Sequence, residues 1–288
     1  MVYEYLIKRA NIVIEALPYL RKFHDQIMVI KYGGAAIEHK DLREKVIQDI
    51  VLLKYVGFHP VVIHGGGPEI NRALRKAGIE TRFIEGLRVT DEKTMETVEK
   101  VLSRINKKVV SLINKAGGKG RGLIGKKGRL IKASKLTLYR KGQKIDLGFT
   151  GEVRSIDSEL LKSIVYKGQI PIISSIGVGR DENNYNINAD QAASSIAQFL
   201  SATKLIILTD VLGVLSKDGK LISRISSHET RSLIRRGIIS GGMIPKVKCA
   251  LEAIKGGVES SHIIDGRIPH ALLLEIFTDH GIGTMVVR

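Results

Sequence analysis

Two glycine-rich turns follow directly on apolar runs: Ile27-Met28-Val29-Ile30-Lys31-Tyr32-Gly33-Gly34 and Val61-Val62-Ile63-His64-Gly65-Gly66-Gly67-Pro68. Glycines let backbone N–H groups come close to an anion, and a helix starting there adds positive partial charge. Pro68 suits the first turn of such a helix. Either turn alone could be a tight strand-to-helix connection, but two of them, one opening on Lys31, favour an anion site. A third segment, Tyr185-Asn186-Ile187-Asn188-Ala189-Asp190, sets two amides and a carboxylate before a small-residue helix. An N-cap needs only one of these side chains, which leaves the others for polar contacts to a ligand. Ser240-Gly241-Gly242-Met243-Ile244-Pro245-Lys246 then brings a second lysine ahead of another helix. Two cations beside glycine turns suit the transfer of a phosphoryl group.

Better-known signatures fail. Gly120-x-Gly122-x-x-Gly125 has dinucleotide spacing, but it lies in a basic stretch instead of opening a helix after a strand. The run from Gly120 to Lys126 imitates a phosphate-binding P-loop, yet Lys127 stands where the magnesium-binding Ser or Thr is required. His64-Gly65-Gly66-Gly67 resembles the oxyanion turn of esterases, but no Gly-x-Ser-x-Gly elbow accompanies it. Neither HExxH nor CxxC occurs, so no dedicated protein metal site is expected.

The net charge of +17 would suit an anionic ligand, a nucleic acid or an acidic partner. Part of it is concentrated from Lys115 to Lys144, where eleven basic residues stand without an acid. That stretch has one aromatic, Tyr139, and no zinc-finger or RNP pattern, so it reads as a solvated basic hairpin and no nucleic-acid partner is expected. The single cysteine, Cys249, rules out an intramolecular disulfide and fits a reducing compartment, the cytoplasm or a plastid stroma. No apolar run reaches the ~20 residues of a membrane span. Glu4, Lys8, Arg9 and Glu15 likewise interrupt any signal-peptide pattern.

The elements that must carry these residues alternate. Strands are expected at 27–31, 60–64, 122–124, 170–175, 204–209, 262–265 and 284–287. Between them lie amphipathic stretches at 41–55, 69–77, 91–115, 158–167, 189–201, 228–235 and 245–255. Continuous apolar strands separated by helices indicate an α/β protein with a mostly parallel open sheet covered on both faces, a three-layer αβα sandwich. The segment 129–152 breaks the rhythm and reads as inserted antiparallel hairpins. Ahead of the first strand, Leu6, Ala10, Val13, Leu17 and Leu20 form one apolar face of a helix over 2–23 that Pro18 should kink. The expected division is therefore a helix at 1–23 and one domain at 24–288.

Six segments together resemble the amino acid kinase family: Lys31-Tyr-Gly-Gly34, His64-Gly-Gly-Gly-Pro68, Gly86-Leu-Arg-Val-Thr-Asp91, Asn186-Ile-Asn-Ala-Asp190, Leu208-Thr-Asp-Val-Leu-Gly-Val214 and Gly241-Gly-Met-Ile-Pro-Lys246. They recur in family order across nearly the whole chain. The Asn-x-Asn-Ala-Asp element resembles the branch that phosphorylates N-acetyl-L-glutamate, and differs from carbamate kinases, aspartokinases and uridylate kinases. The resemblance implies that Lys31 and Lys246 flank the transferring phosphoryl group and that Asp190 holds them. It further implies acetylglutamate binding by Gly66, Gly67, Arg88 and Asn186 in the N-terminal half. In the same way, ATP with magnesium would be bound by Gly33 and Gly34 and by Thr209, Asp210, Gly213 and Val214 in the C-terminal half.

The N-terminal helix and the ending 270–288 resemble the arginine-inhibited, hexameric members, in which the kinked helix interlaces dimers. Tyr19, Lys204, His270, Glu275, Gly281 and Gly283 match that branch as arginine contacts. Some relatives bind PII-type signalling proteins, and nothing in this sequence decides that. Two readings compete with this one: an acetylaminoadipate kinase, whose substrate is one methylene longer, and a basic regulatory or nucleic-acid-binding protein on a kinase scaffold. Intact Lys31, Asp190 and Lys246 argue against the second.

Overall fold

The computed structural model describes residues 2–34, 37, 39–124, 127–140 and 142–288; Gly125, Lys126 and Lys141 of the basic stretch lie outside the described residues. The strands are β1 (Ile27–Tyr32), β2 (His59–His64), β3 (Phe83–Ile84), β4 (Leu87–Arg88), β5 (Gly120–Leu123), β6 (Ile131–Lys135), β7 (Leu138–Arg140) and β8 (Gln143–Ile145). They continue as β9 (Thr150–Ile156), β10 (Ile170–Ser174), β11 (Ile176–Val178), β12 (Asn184–Ile187), β13 (Lys204–Thr209), β14 (Arg224–Ser226), β15 (Ser260–Asp265) and β16 (Thr284–Val287). Eight of them form one sheet in the order β14-β16-β15-β13-β1-β2-β10-β5. All pairs in it are parallel except β15 with β16.

Strand periodicity builds the layers. Along β1, Met28, Ile30 and Tyr32 join the core shared with helices Lys40–Tyr55 and Glu92–Lys115. Val29, between them, joins Val61, Ile63, Leu205 and Ile207 against helices Ser158–Tyr166, Ala189–Phe199 and Met243–Lys255. Successive strand side chains point to opposite faces, so an unbroken apolar strand must be covered on both. Each fully buried Ile, Leu or Val contributes about 1.5–3 kcal/mol over its exposed state. The expected three layers are present.

Register then decides what meets at the sheet's edge. Tyr32 pairs with His64, and Lys31 with Ile207, so the two glycine turns leave adjacent parallel strands together and β13 ends beside them. Ser174 pairs with His64 on the other side.

The segment 129–152 does contain the expected antiparallel pairs, β6 with β9 and β7 with β8. It does more than insert hairpins, however. β6 and β9 close into a small barrel with β11 and β12, which arrive only after another helix and strand. Helix Ala271–Ile276 and strand β14 were also not expected, since each is too short to show a period.

The N-terminal helix breaks as Pro18 requires, into Val2–Glu15 and Leu17–Phe23 with a turn at Ala16. Its apolar face is uncovered within the chain: Leu6 is 49% and Val13 68% exposed. Only toward its end do Tyr19 and Leu20 pack on the domain core. No helix among the described residues is long and apolar enough to cross a membrane.

Candidate active site

A cavity of about 280 Å³ opens at the C-terminal ends of β1, β2 and β10. Lys31, Gly33, Gly34, Gly66, Gly67, Arg88, Asn186 and Asp190 all line it. Residues distant in sequence converge here because parallel strands put all their exits on one edge.

The three polar residues of Asn186–Asp190 divide the work. Asn188 caps helix Ala189–Phe199, its side chain accepting from the N–H groups of Asp190 and Gln191 at 2.9 and 3.2 Å. Asn186 donates to the hydroxyl of Thr90 at 3.2 Å. Asp190, in the first helical turn, sits between two cations. Lys31 Nζ stands 3.0 Å from its Oδ1, a charge contact without hydrogen-bond alignment, and Lys246 Nζ donates to Oδ2 at 3.2 Å. Asp190 is 8% and Lys31 9% exposed. Burial alone would push the Asp190 carboxyl up; the charges of Lys31 and Lys246 outweigh it and hold the group below its ordinary range. One carboxylate thus fixes two ammonium groups: that of Lys31, which lines the cavity, and that of Lys246, which is not a lining residue but contacts the same carboxylate.

At two glycines an added side chain would crowd its neighbours. A Cβ on Gly33 would lie 2.8 Å from Lys31 Nζ, so the missing side chain lets the lysine fold across the turn. A Cβ on Gly66 would meet Ile105 and Leu102 at 2.7 and 2.9 Å.

Arg88 ends the short hairpin of β3 and β4. One terminal nitrogen, Nη2, donates to Asn71 Oδ1 at 2.7 Å, and the guanidinium lies 4.7 Å from the Phe83 ring centre. Its other terminal nitrogen, Nη1, is buried with no hydrogen-bond partner. Burial pushes the guanidinium down from its usual value, though arginine remains charged. A buried donor without a partner is costly, and a carboxylate entering the cavity would satisfy it.

Thr209, Asp210, Gly213 and Val214 do not line this cavity. Thr209 ends β13 and the other three follow it on the same sheet edge, where the Thr209 hydroxyl donates to Asp210 at 3.2 Å and Val214 N–H donates to Thr284 Oγ1 at 2.8 Å. Val214 itself is buried in a separate small core with Ile225 and Val286.

A second cavity, about 930 Å³, lies between helix Leu17–Phe23 and the chain's end. Tyr19, Lys204, Glu275 and Gly281 line it, and Tyr19 donates to Asp279 there. Gly283 N–H donates to Glu275 Oε2 at 3.1 Å. His270 is elsewhere. It precedes helix Ala271–Ile276 in a left-handed conformation (φ 58°), and its Nδ1 lies 2.6 Å from the buried Asp49 carboxylate. The histidines in the cavity are His280 and, on β15, His262. His262 Nδ1 lies 2.6 Å from Glu275 Oε1, and its Nε2 lies 3.2 Å from Lys204 Nζ. His262 had no signal of its own in the sequence, because it reads as one residue of an apolar strand. Burial, with Lys22 nearby, pushes Lys204 down to about 8.

Among the described residues no group of three or more His, Cys, Asp or Glu side chains is arranged to hold a metal ion.

Comparison with known proteins agrees with this architecture. Residues 26–265 match the model of the amino acid kinase family. An acetylglutamate kinase of Heliobacterium modesticaldum is 53% identical over 98% of this chain and 99% of its own length. Among solved structures, N-acetylglutamate synthase of Neisseria gonorrhoeae complexed with coenzyme A and N-acetyl-glutamate superposes with a TM-score of 0.88 at 27% identity, covering 97% of this chain. The same synthase complexed with coenzyme A and L-arginine gives 0.82, again at 27% identity, over 95% of this chain. The chain spans 63% and 64% of the synthase's length in these two structures. A family model matched over most of the chain, and a relative more than half identical from end to end, leave one assignment: the chain belongs to the amino acid kinase family.

Proposed function

We propose that this protein transfers the γ-phosphoryl group of ATP, supplied with magnesium, to the side-chain carboxylate of N-acetyl-L-glutamate. The observation that carries the reading is one cavity lined by Lys31, by the Asp190 carboxylate that also binds Lys246, and by a buried arginine with a free donor. The end-to-end similarity to an acetylglutamate kinase supports the choice of substrate. A glutamate side chain has a pKa of about 4.3, so the nucleophile arrives ionised and no general base is needed. What the reaction needs is two anions held in line with their charge neutralised. A carboxylate oxygen bonds to the γ-phosphorus as the bond to the β–γ bridging oxygen breaks, and ADP leaves with that electron pair. An acyl phosphate remains. Lys31 and Lys246 neutralise the transferring group, Asp190 keeps them apart and aimed, and Gly33 and Gly34 offer N–H donors to phosphate oxygens. Gly66, Gly67, Arg88 and Asn186 hold acetylglutamate, with Arg88 on its α-carboxylate. ATP extends over the C-terminal half toward Thr209, Asp210, Gly213 and Val214. A reducing, cytoplasmic setting suits this chemistry and the buried free thiol of Cys249.

ADP release measured with N-acetyl-L-glutamate, glutamate and acetylaminoadipate tests the assignment. Magnesium-dependent turnover should be fastest with N-acetyl-L-glutamate and fall about 10–200-fold with acetylaminoadipate, since one methylene is worth ~1–3 kcal/mol. Equal turnover of unacetylated glutamate would refute it.

The second cavity supports feedback inhibition by arginine in a hexamer built through the N-terminal helix. Its lining brings together the acidic residues Glu15, Glu275 and Asp279, and the Neisseria synthase has been solved with L-arginine. The exposed Leu6, Val13 and Leu17 want a cover that the single chain lacks. An effector acts only through its different affinity for two arrangements of subunits. Deleting residues 1–21 should therefore yield smaller particles, dimers by light scattering, that keep catalysis and lose arginine inhibition. A truncated protein that stays hexameric, or remains as arginine-sensitive as the full chain, would sink this part alone.

A further inference from the structure

We propose that His64 is a positioning residue, its neutral imidazole aiming the Gly66 N–H into the active-site cavity; the assignment rests on the reading that this cavity binds an anionic substrate.

His64 ends β2 and is fully buried. Its Nδ1 lies 3.1 Å from the carbonyl oxygen of Gly65. A carbonyl can only accept, so Nδ1 carries the proton. On the other side of the ring, Asn106 Nδ2 lies 3.1 Å from Nε2 and 2.8 Å from the carbonyl of Ile172. The amide donates to both, which leaves Nε2 as the acceptor. Both neighbours therefore demand the same tautomer.

The consequence lies in the next peptide plane. The chain has no cis peptide bonds among its described residues, and in a trans peptide the C=O and the following N–H point in opposite directions. With the Gly65 carbonyl held against the ring, the Gly66 N–H must point away from it. Gly66 lines the cavity. The neighbouring groups are already committed: Gly65 N–H donates to Tyr32 at 3.2 Å, and Gly66 carbonyl accepts from Ile70 N–H at 2.8 Å. No hydrogen bond among the described residues uses the Gly66 N–H.

An external hold is needed because both residues of this plane are glycines. Without a Cβ on either side, a peptide flip meets little steric resistance. A flip would present a carbonyl to the bound anion, reversing the interaction. The histidine is also unsuited to be a base. Burial pushes its imidazole down to about 4, so it stays neutral across the physiological range, and both of its nitrogens are occupied.

Two substitutions separate aiming from filling space. Asparagine places its amide nitrogen near the position of Nδ1, whereas glutamine reaches the position of Nε2. In the ADP-release assay His64→Asn should keep kcat/KM for N-acetyl-L-glutamate within about fivefold. His64→Gln should lose about 10²-fold, the scale of one misdirected preorganised donor. Crystal structures should show the wild-type Gly65–Gly66 peptide plane in His64→Asn and a turned plane in His64→Gln. Long-range ¹⁵N spectra of the wild-type protein, which need no variant, should show a proton on Nδ1 and none on Nε2. Equal activity of the two variants, an unturned plane in His64→Gln, or an Nε2–H imidazole would each overturn the proposal. So would a wild-type pH profile with a limb near 6–7 that disappears in His64→Asn, because His64 would then act as a base. If the wild-type protein releases no ADP with acetylglutamate, the kinase reading fails, and the two peptide planes and the imidazole tautomer still decide the role of His64.

Discussion

Replacing Lys246 with alanine is expected to lower kcat by about 10²–10³, the loss found when one preorganised donor to a developing charge is removed. Lys246 stands in the first turn of helix Met243–Lys255, with a side chain 21% exposed and its ammonium 3.2 Å from Asp190 Oδ2. The variant leaves Asp190 with Lys31 alone. Half of the positive charge facing the phosphoryl group is gone, and the remaining lysine is drawn more tightly onto the carboxylate. The KM for acetylglutamate should change little, because the proposed substrate contacts are Gly66, Gly67, Arg88 and Asn186. Thermal stability should also hold, since the truncated side chain is part-exposed and the neighbouring ion pair remains. Steady-state kinetics with a melting curve would check both statements. A normal kcat would take this lysine out of the mechanism.

The second large effect is expected on binding. Arg88→Ala should raise the KM for acetylglutamate about 10²-fold, since losing one side of a buried charged pair costs about 2–5 kcal/mol. The guanidinium already spends Nη2 on Asn71 and lies over Phe83, leaving Nη1 buried and unpaired. That arrangement stores a donor for an incoming carboxylate. Lysine should not rescue the variant, because a point ammonium cannot serve Asn71 and a carboxylate in the same fork. The KM for ATP should hold steady. If the ATP KM rose while that of acetylglutamate did not, the division between substrate and nucleotide halves would be wrong.

Much of this molecule was legible from local pattern. An apolar strand buried on both faces writes itself as a continuous run, so β1, β2, β10, β13 and β15 were readable, as were the long helices between them. Glycine turns at strand ends, and polar clusters at helix starts, are local too. Lys31, Gly66, Asp190 and their partners therefore stood out before any contact between them was known. Pro18 announced the break in the first helix for the same reason, since the loss of an N–H acts within one turn.

Pairings across long stretches of chain were not legible. The barrel needs β6 and β9 to meet β11 and β12, and no short window carries that register. The positions of the histidines depended on the fold in the same way. His270 turned to Asp49 on a helix far away, while His262 entered the second cavity from within an ordinary strand. His64 shows the principle most plainly. In sequence it is one letter before three glycines, and its tautomer depends on Asn106, which a different helix delivers to its other side. Hydrophobic period is a property of neighbours along the chain, whereas the direction of a hydrogen bond belongs to neighbours in space.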